Sequence, residues 1–149
     1  MRILKATIPG EPTAKGRPQF FNGHAVTPLK TRKAEEAAAE AWAMQAGFIP
    51  ITGPVKMDIA FFLETPQSWS RKKQAAANRR EIRPVKRPDL DNLVKLIQDA
   101  LNGLAYQDDK QIQEINARKW YSSKPRTVIT ITELPEEADD QMTFEEVIK

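Results

Sequence analysis

Cysteine is absent from the 149 residues, and histidine occurs once, at His24. Without thiolates there is no disulfide framework and no thiol nucleophile, and a single imidazole does not make a zinc centre. Long apolar runs are missing too: nothing approaches the roughly 18 consecutive residues that a membrane-spanning helix needs. The opening stretch, Met1 to Pro9, alternates in polarity and lacks the apolar core of a secretory leader. No internal repeat is present. These absences point to a cytoplasmic protein with no membrane partner and no small organic cofactor.

What is there is enough for one folded unit. Hydrophobic residues make up 40% of the chain, with three Trp and six Phe, so a core can form in a chain too short for two comfortable domains. The net charge of +3 hides an asymmetry. From Glu133 onward seven acidic residues face one Lys, a net of −6, which leaves +9 on residues 1–132. A basic body with an acidic extension suits a protein that binds a polyanion. The expected division is a folded domain over residues 1–134 and an acidic, mobile tail over 135–149, in which Phe144, Val147 and Ile148 form at most one weak amphipathic turn.

Arg2 to Ile8 has the period-two pattern of a strand, ended by Pro9-Gly10. Residues 9–30 read as a long loop. The alanine-rich run from Thr31 to Ala46 predicts a helix, with Thr31 as cap and Gly47 as a left-handed terminator. Val55 to Leu63 reads as a strand with Val55, Met57, Ile59 and Phe61 on one face. Ser68 to Arg80 reads as a short helical insertion in a basic segment, and Asp91 to Leu104 as an amphipathic helix carrying Leu93, Leu96, Ile97, Ala100, Leu101 and Leu104. Gln111–Tyr121 and Arg126–Thr132 read as two strands of a hairpin turning at Ser122-Ser123-Lys124-Pro125. The expected fold is α/β: a small mixed sheet covered by two helices, in the order β-α-β-(basic insertion)-α-β-β. The stripe of Leu96, Ile97, Leu101 and Leu104 is wider than one thin sheet requires. Part of it, or Trp120 and Tyr121, is therefore expected to face a second copy of the chain.

The chemistry concentrates in Arg87-Pro88-Asp89-Leu90-Asp91-Asn92-Leu93-Val94-Lys95 and in Asp108-Asp109. Asp89 and Asp91 alone would pass for a helix cap and a first-turn carboxylate. Lys95, one turn after Asp91, lies on the same helix face, although an ordinary surface pair would also account for it. If the strand after the helix starts beside the helix start, an aspartate of the 108–109 pair returns to meet Asp89 and Asp91. Three converging carboxylates repel unless a cation sits between them, and an oxygen set of this kind suits Mg²⁺. In such a site the metal activates a water on a phosphate and Lys95 contacts the same phosphate. Asp99, one turn further, is placed to pair with Lys95. The pattern lacks the central glycine and terminal glutamate of an EF-hand loop.

Lys15, Arg17, Arg71, Lys72, Lys73, Arg79, Arg80, Arg83, Lys86 and Arg87 form the candidate phosphate-backbone set, since the basic run leads straight into the carboxylates. Trp69 and Tyr106 are candidates for stacking on unpaired bases, with core packing as the alternative. Together these features point to metal-assisted cleavage of nucleic acid.

At these residues the chain resembles the RusA-type family of Holliday-junction resolvases found in bacteria and prophages. The resemblance covers most of residues 1–132. It rests on Asp89-Leu90-Asp91-Asn92-Leu93 with Lys95, on Asp99-Ala100-Leu101, and on Asp108-Asp109. Ile8-Pro9-Gly10-Glu11-Pro12 with Lys15-Gly16-Arg17-Pro18, and Pro66-Gln67-Ser68-Trp69-Ser70, add to it. The resemblance implies that Asp89, Asp91, Asp109 and Lys95 are the catalytic residues. Asp89, Asp91 and Asp109 would be the metal ligands, with Asp108 a further candidate. It also implies a homodimer that uses Mg²⁺, with Mn²⁺ as a substitute, to nick four-way DNA junctions symmetrically in recombination and repair. Two other readings of the residues stay open: a non-catalytic phage nucleic-acid-binding protein, and a nuclease of broader specificity for branched DNA.

Overall fold

The computed structural model describes residues 1–137; the tail beyond, with Phe144, Val147 and Ile148, lies outside the described residues. Ten elements follow one another: β1 (Ile3–Pro9), β2 (Gln19–Phe21), β3 (His24–Val26), α1 (Leu29–Ala46), β4 (Val55–Glu64), α2 (Arg71–Asn78), α3 (Leu90–Leu101), a 3₁₀ turn (Asp109–Gln111), β5 (Ile112–Ser122) and β6 (Arg126–Glu133). No described helix is long and apolar enough to cross a membrane.

The mixed α/β expectation holds, with two corrections. The 9–30 segment is not all loop, because β2 and β3 pair with each other as a separate two-stranded ribbon. The expected hairpin between β5 and β6 does not form. The main sheet has the order β1-β6-β4-β5, so β4 lies between them, antiparallel to β6 and parallel to β5. Strands two places apart are separated by about 9.6 Å, and the residues between Ser122 and Arg126 are enough to cross that gap.

β4 occupies the middle because it is the most apolar strand. Val55, Met57, Ile59 and Phe61 are all at most 1% exposed, and they meet Ile129 and Ile131 of β6 on the same face. α1 and α3 cover this face. α1 starts at Leu29, two residues before the expected cap, and Thr31 is buried within it. Gly47 ends it at φ +89° and ψ −168°, a glycine conformation other than the left-handed helical one expected. α3 ends at Leu101, and its Leu93, Leu96, Ile97 and Leu101 are buried. The wide stripe is therefore consumed inside one chain, between α1 and the sheet, and is not left for a partner. Each such side chain contributes about 1.5–3 kcal/mol through burial.

The opposite face of the sheet carries Phe62 and Trp120, which are register partners across β4 and β5. The Arg126 guanidinium stacks on Phe62 at 3.9 Å, and Arg83 on Trp120 at 4.7 Å. α2, capped by Ser70 on the Lys73 N–H at 3.2 Å, packs Ala77 against Leu63 and Tyr121, with Trp69 beside them.

Candidate active site

α3 connects two parallel strands, β4 and β5, and so runs against them. Its start is fixed at the carboxyl end of β5. The Lys119 ammonium donates to the carbonyls of Lys86 (3.1 Å) and Pro88 (3.0 Å), holding the chain that enters the helix. Asp89 is the N-cap residue, yet its side chain makes no capping bond; only its carbonyl accepts, from the Leu93 N–H. Asp91 sits in the first turn and accepts from the Asn92 N–H at 2.9 Å. Both residues are exposed, and neither forms an ion pair among the described residues. The unsatisfied N–H groups of a helix start favour negative charge there, which suits two carboxylates at the N-cap and in the first turn.

The loop after β1 is laid against this helix start. The Lys15 N–H donates to the Asn92 carbonyl at 2.9 Å, and the Gly16 N–H to the Thr31 hydroxyl at 3.0 Å. A Cβ on Gly16 would stand 2.8 Å from that hydroxyl oxygen, so the approach requires glycine. The result is a polar recess of about 540 Å³ lined by Ala14, Arg17, Arg87, Pro88, Asp89 and Asn92. An adjoining recess of about 420 Å³ shares Ala14, Arg87 and Pro88 and adds Lys30. Arg17, Lys30 and Arg87 thus line a groove that leads to Asp89.

Lys95 pairs forward with Asp99 at 3.2 Å and not back with Asp91. Asp99 also meets Lys15 at 3.1 Å, and Lys15 meets Glu35 at 2.5 Å. Burial works to lower the Lys15 pKa, but the two carboxylates outweigh it and hold the ammonium above the ordinary lysine value. Lys15 is therefore engaged within the fold.

Asp109 stands at the other end of α3. The Tyr106 phenol donates to the Gln98 carbonyl at 2.7 Å, and the Asp109 and Asp99 charges both act on that phenol. β5 then starts beside Val55, at the opposite end of the sheet from Lys119. The strand after the helix does not begin at the helix start, so one chain does not bring Asp109 to Asp89 and Asp91. Among the described residues no three carboxylates or imidazoles are grouped closely enough to hold a metal ion. Asp108 is used as a cap: its carboxylate accepts from the Lys110 N–H at 2.9 Å, which holds its pKa below the usual carboxylate range.

Of the basic set, Arg71, Lys72 and Lys73 open α2. Arg79 is paired with Glu81 at 3.1 Å; Arg80 and Arg83 stack on Trp120 at 5.5 and 4.7 Å. Through Tyr121 and Trp120 this segment is anchored at the carboxyl end of β5, the same end as Asp89. The stacking candidates fare differently. Tyr106 is fully buried, and burial lifts its phenol pKa well above normal, so it is a core residue unavailable to bases. Trp69 packs edge-on against Tyr121 at 5.2 Å with Lys73 over its ring.

Sequence reasoning missed Lys119, whose signal is a lysine inside a strand. It also missed Gln111, whose amide donates to the Ile51 and Gly53 carbonyls and accepts from the Asp108 N–H.

Comparison with known proteins places the chain in a family. Similarity to "Uncharacterized protein YqaN" of Bacillus subtilis (strain 168) runs at 38% identity over 140 residues, covering 90% of this chain and 99% of that protein. Similarity to "Crossover junction endodeoxyribonuclease rusA" of Lactococcus phage r1t runs at 37% over 84 residues, covering 54% of this chain and 56% of that protein. The family description "Endodeoxyribonuclease RusA" matches residues 9–132, which span both carboxylate motifs and the groove, and the chain belongs to that family.

Proposed function

We propose that this protein is a divalent-metal-dependent endonuclease that resolves four-way DNA junctions, acting as a homodimer in bacterial or phage DNA recombination and repair. The observation that carries the proposal is the pairing of Asp89 and Asp91, exposed and without ion pairs among the described residues, with a groove lined by Arg17, Lys30 and Arg87. Membership in an endodeoxyribonuclease family, and a relative named as a crossover junction enzyme, support it.

The residues fit a hard cation. Mg²⁺ is commonly held by one or two carboxylates with water and substrate phosphate completing its shell. Asp89 and Asp91 would hold it here, and Mn²⁺ accepts the same ligands. A bound ion of this class supplies an acidified water and offsets charge on the scissile phosphate. The chain's own work is positioning. Arg17 and Arg87 grip the phosphates that flank the scissile one, and Lys95, exposed one turn past Asp91, presents a cation to the same strand.

Asp109 joins this set only from a second copy. Among the described residues β5 is a free edge of the sheet, with Gln113 to Asn116 exposed, and free edges pair with other strands. Two β5 strands related by a two-fold axis run antiparallel. The start of one, with its Asp109, then lies beside the end of the other, where Lys119 holds Lys86 and Pro88 just ahead of Asp89. Two equivalent sites on opposing strands are what paired incisions need.

The test is a gel assay with labelled four-way junction, linear duplex and single strand, with and without Mg²⁺. Paired, metal-dependent nicks confined to the junction are expected. Junction binding with no cutting would instead identify a binding protein, and equal cutting of flaps and forks a broader nuclease.

A further inference from the structure

The β2–β3 ribbon stands apart from the core. Phe20 is 79% exposed and Phe21 71%, on strands that, among the described residues, pair only with each other. Asn22 and Gly23 join them at φ +51° and +78°, the conformation of a tight two-residue hairpin turn. As consecutive strand residues the two phenylalanines project from opposite faces of the ribbon, so no single core surface can bury both. A two-stranded ribbon is marginal alone, and apolar surface kept in water marks a place where something binds.

The surroundings say what. The ribbon springs from the rim of the catalytic groove: Arg17 precedes β2 by two residues, Lys30 follows β3 by four, and both line the recesses that share Arg87 and Pro88. From Pro12 to Ala34 there is no carboxylate, against five lysines and arginines. An occupant must offer flat apolar faces within a strongly anionic frame. Bases on a phosphodiester chain do this once they have lost their stacking neighbours, as they have at a branch point.

We propose that the β2–β3 ribbon is a base-stacking finger whose Phe20 and Phe21 take the unstacked base faces at the branch point of the DNA, so that these two residues set the preference for branched over linear substrate. The proposal rests on the junction-nuclease reading above. Its test compares the wild-type protein, the Phe20→Ser/Phe21→Ser variant and the Phe20→Tyr/Phe21→Tyr variant on a four-way junction and on linear duplex. Each is measured for affinity, for salt dependence of binding and for cleavage with Mg²⁺, after light scattering has fixed the oligomeric state. The serine variant should lose about tenfold or more of its junction-over-duplex preference, with duplex affinity and salt slope unchanged. The tyrosine variant keeps the aromatic faces and should keep the preference. An unchanged preference in the serine variant overturns the finger while leaving the nuclease reading intact. A serine variant that is monomeric where the wild type is dimeric also overturns it, and assigns the ribbon to the contact between copies. A wild-type protein that neither prefers nor cuts junctions overturns the nuclease reading, and the finger with it.

Discussion

Complementation between two inactive variants follows from the placement of Asp109 at the far end of α3. The helix has 12 residues and so spans about 18 Å, whereas ligands of one Mg²⁺, each about 2.1 Å from the ion, lie within about 4 Å of one another. In the proposed dimer, a site that uses Asp89, Asp91 and Asp109 would therefore draw the third from a second subunit. The perturbation is to prepare Asp91→Asn and Asp109→Asn separately, each expected to be inactive, and to let their subunits exchange. Random exchange makes about half the dimers mixed. In a mixed dimer one site carries both substitutions and the other carries neither, so about a quarter of the wild-type number of sites returns. The assay is nicking of a labelled junction, with the mixed dimer confirmed by native mass spectrometry. With one live site per dimer, the product should be a singly nicked junction and not a resolved pair of duplexes. A mixture that contains mixed dimers but does not nick would refute the shared site, because sites built within one chain are all dead in that mixture.

Four further outcomes are expected. Lys119→Met removes two charge-assisted bonds to the carbonyls ahead of Asp89 and should lower stability by about 2–3 kcal/mol in urea denaturation, with slower cleavage by the folded fraction; unchanged stability would detach Lys119 from the site. Lys95→Ala should slow cleavage more than it weakens junction binding and change stability by less than about 0.5 kcal/mol, since its Asp99 pair is exposed; an unchanged rate at saturating Mg²⁺ would reduce Lys95 to a surface ion pair. Arg17→Ala should reduce the slope of log K against log salt by about 0.9 if it contacts one phosphate, and an unchanged slope would place the strand elsewhere. Burial lifts the Glu11 carboxyl pKa, with the Glu64 charge adding and the Glu64 N–H opposing. A raised folded pKa makes ionisation unfavourable to folding above it, with no penalty below the unfolded value. Glu11→Gln should thus raise the melting temperature at neutral pH, with the gain gone by about pH 4; a gain that persists in acid would refute the cause.

Periodicity carried the elements whose burial is one-sided and long. The alternation of Val55, Met57, Ile59 and Phe61 and the helical spacing of Leu93, Leu96, Ile97 and Leu101 located β4 and α3 within a few residues. It could not say what packs on a face: the α3 stripe looks too wide because it meets both α1 and the sheet. Strand order was hidden because the short connection at Ser123 to Pro125 suits an adjacent hairpin as well as a step across β4. The β2 and β3 strands are too short to show a period, although Asn22-Gly23 is a hairpin signal. In the candidate site, the motif residues and the surrounding charge were legible. The direction of α3 against β5 was not, and it is this direction that separates Asp109 from Asp91.

The place of β6 bears on how the protein is made. The last strand of the sheet in sequence is an inner one, lying between β1 and β4. A chain emerging from the ribosome at about 5–20 residues per second carries every described helix and five of the described strands before Arg126 appears. Until then β1 has no sheet partner and β4 has an open edge. Closure comes only when β6 slots between strands made more than a hundred residues and some sixty residues earlier, which is a slow, non-local step. Completion of the sheet therefore waits until Arg126–Glu133 has been made. A chain broken off before β6 leaves an open sheet edge, and such edges are prone to aggregation.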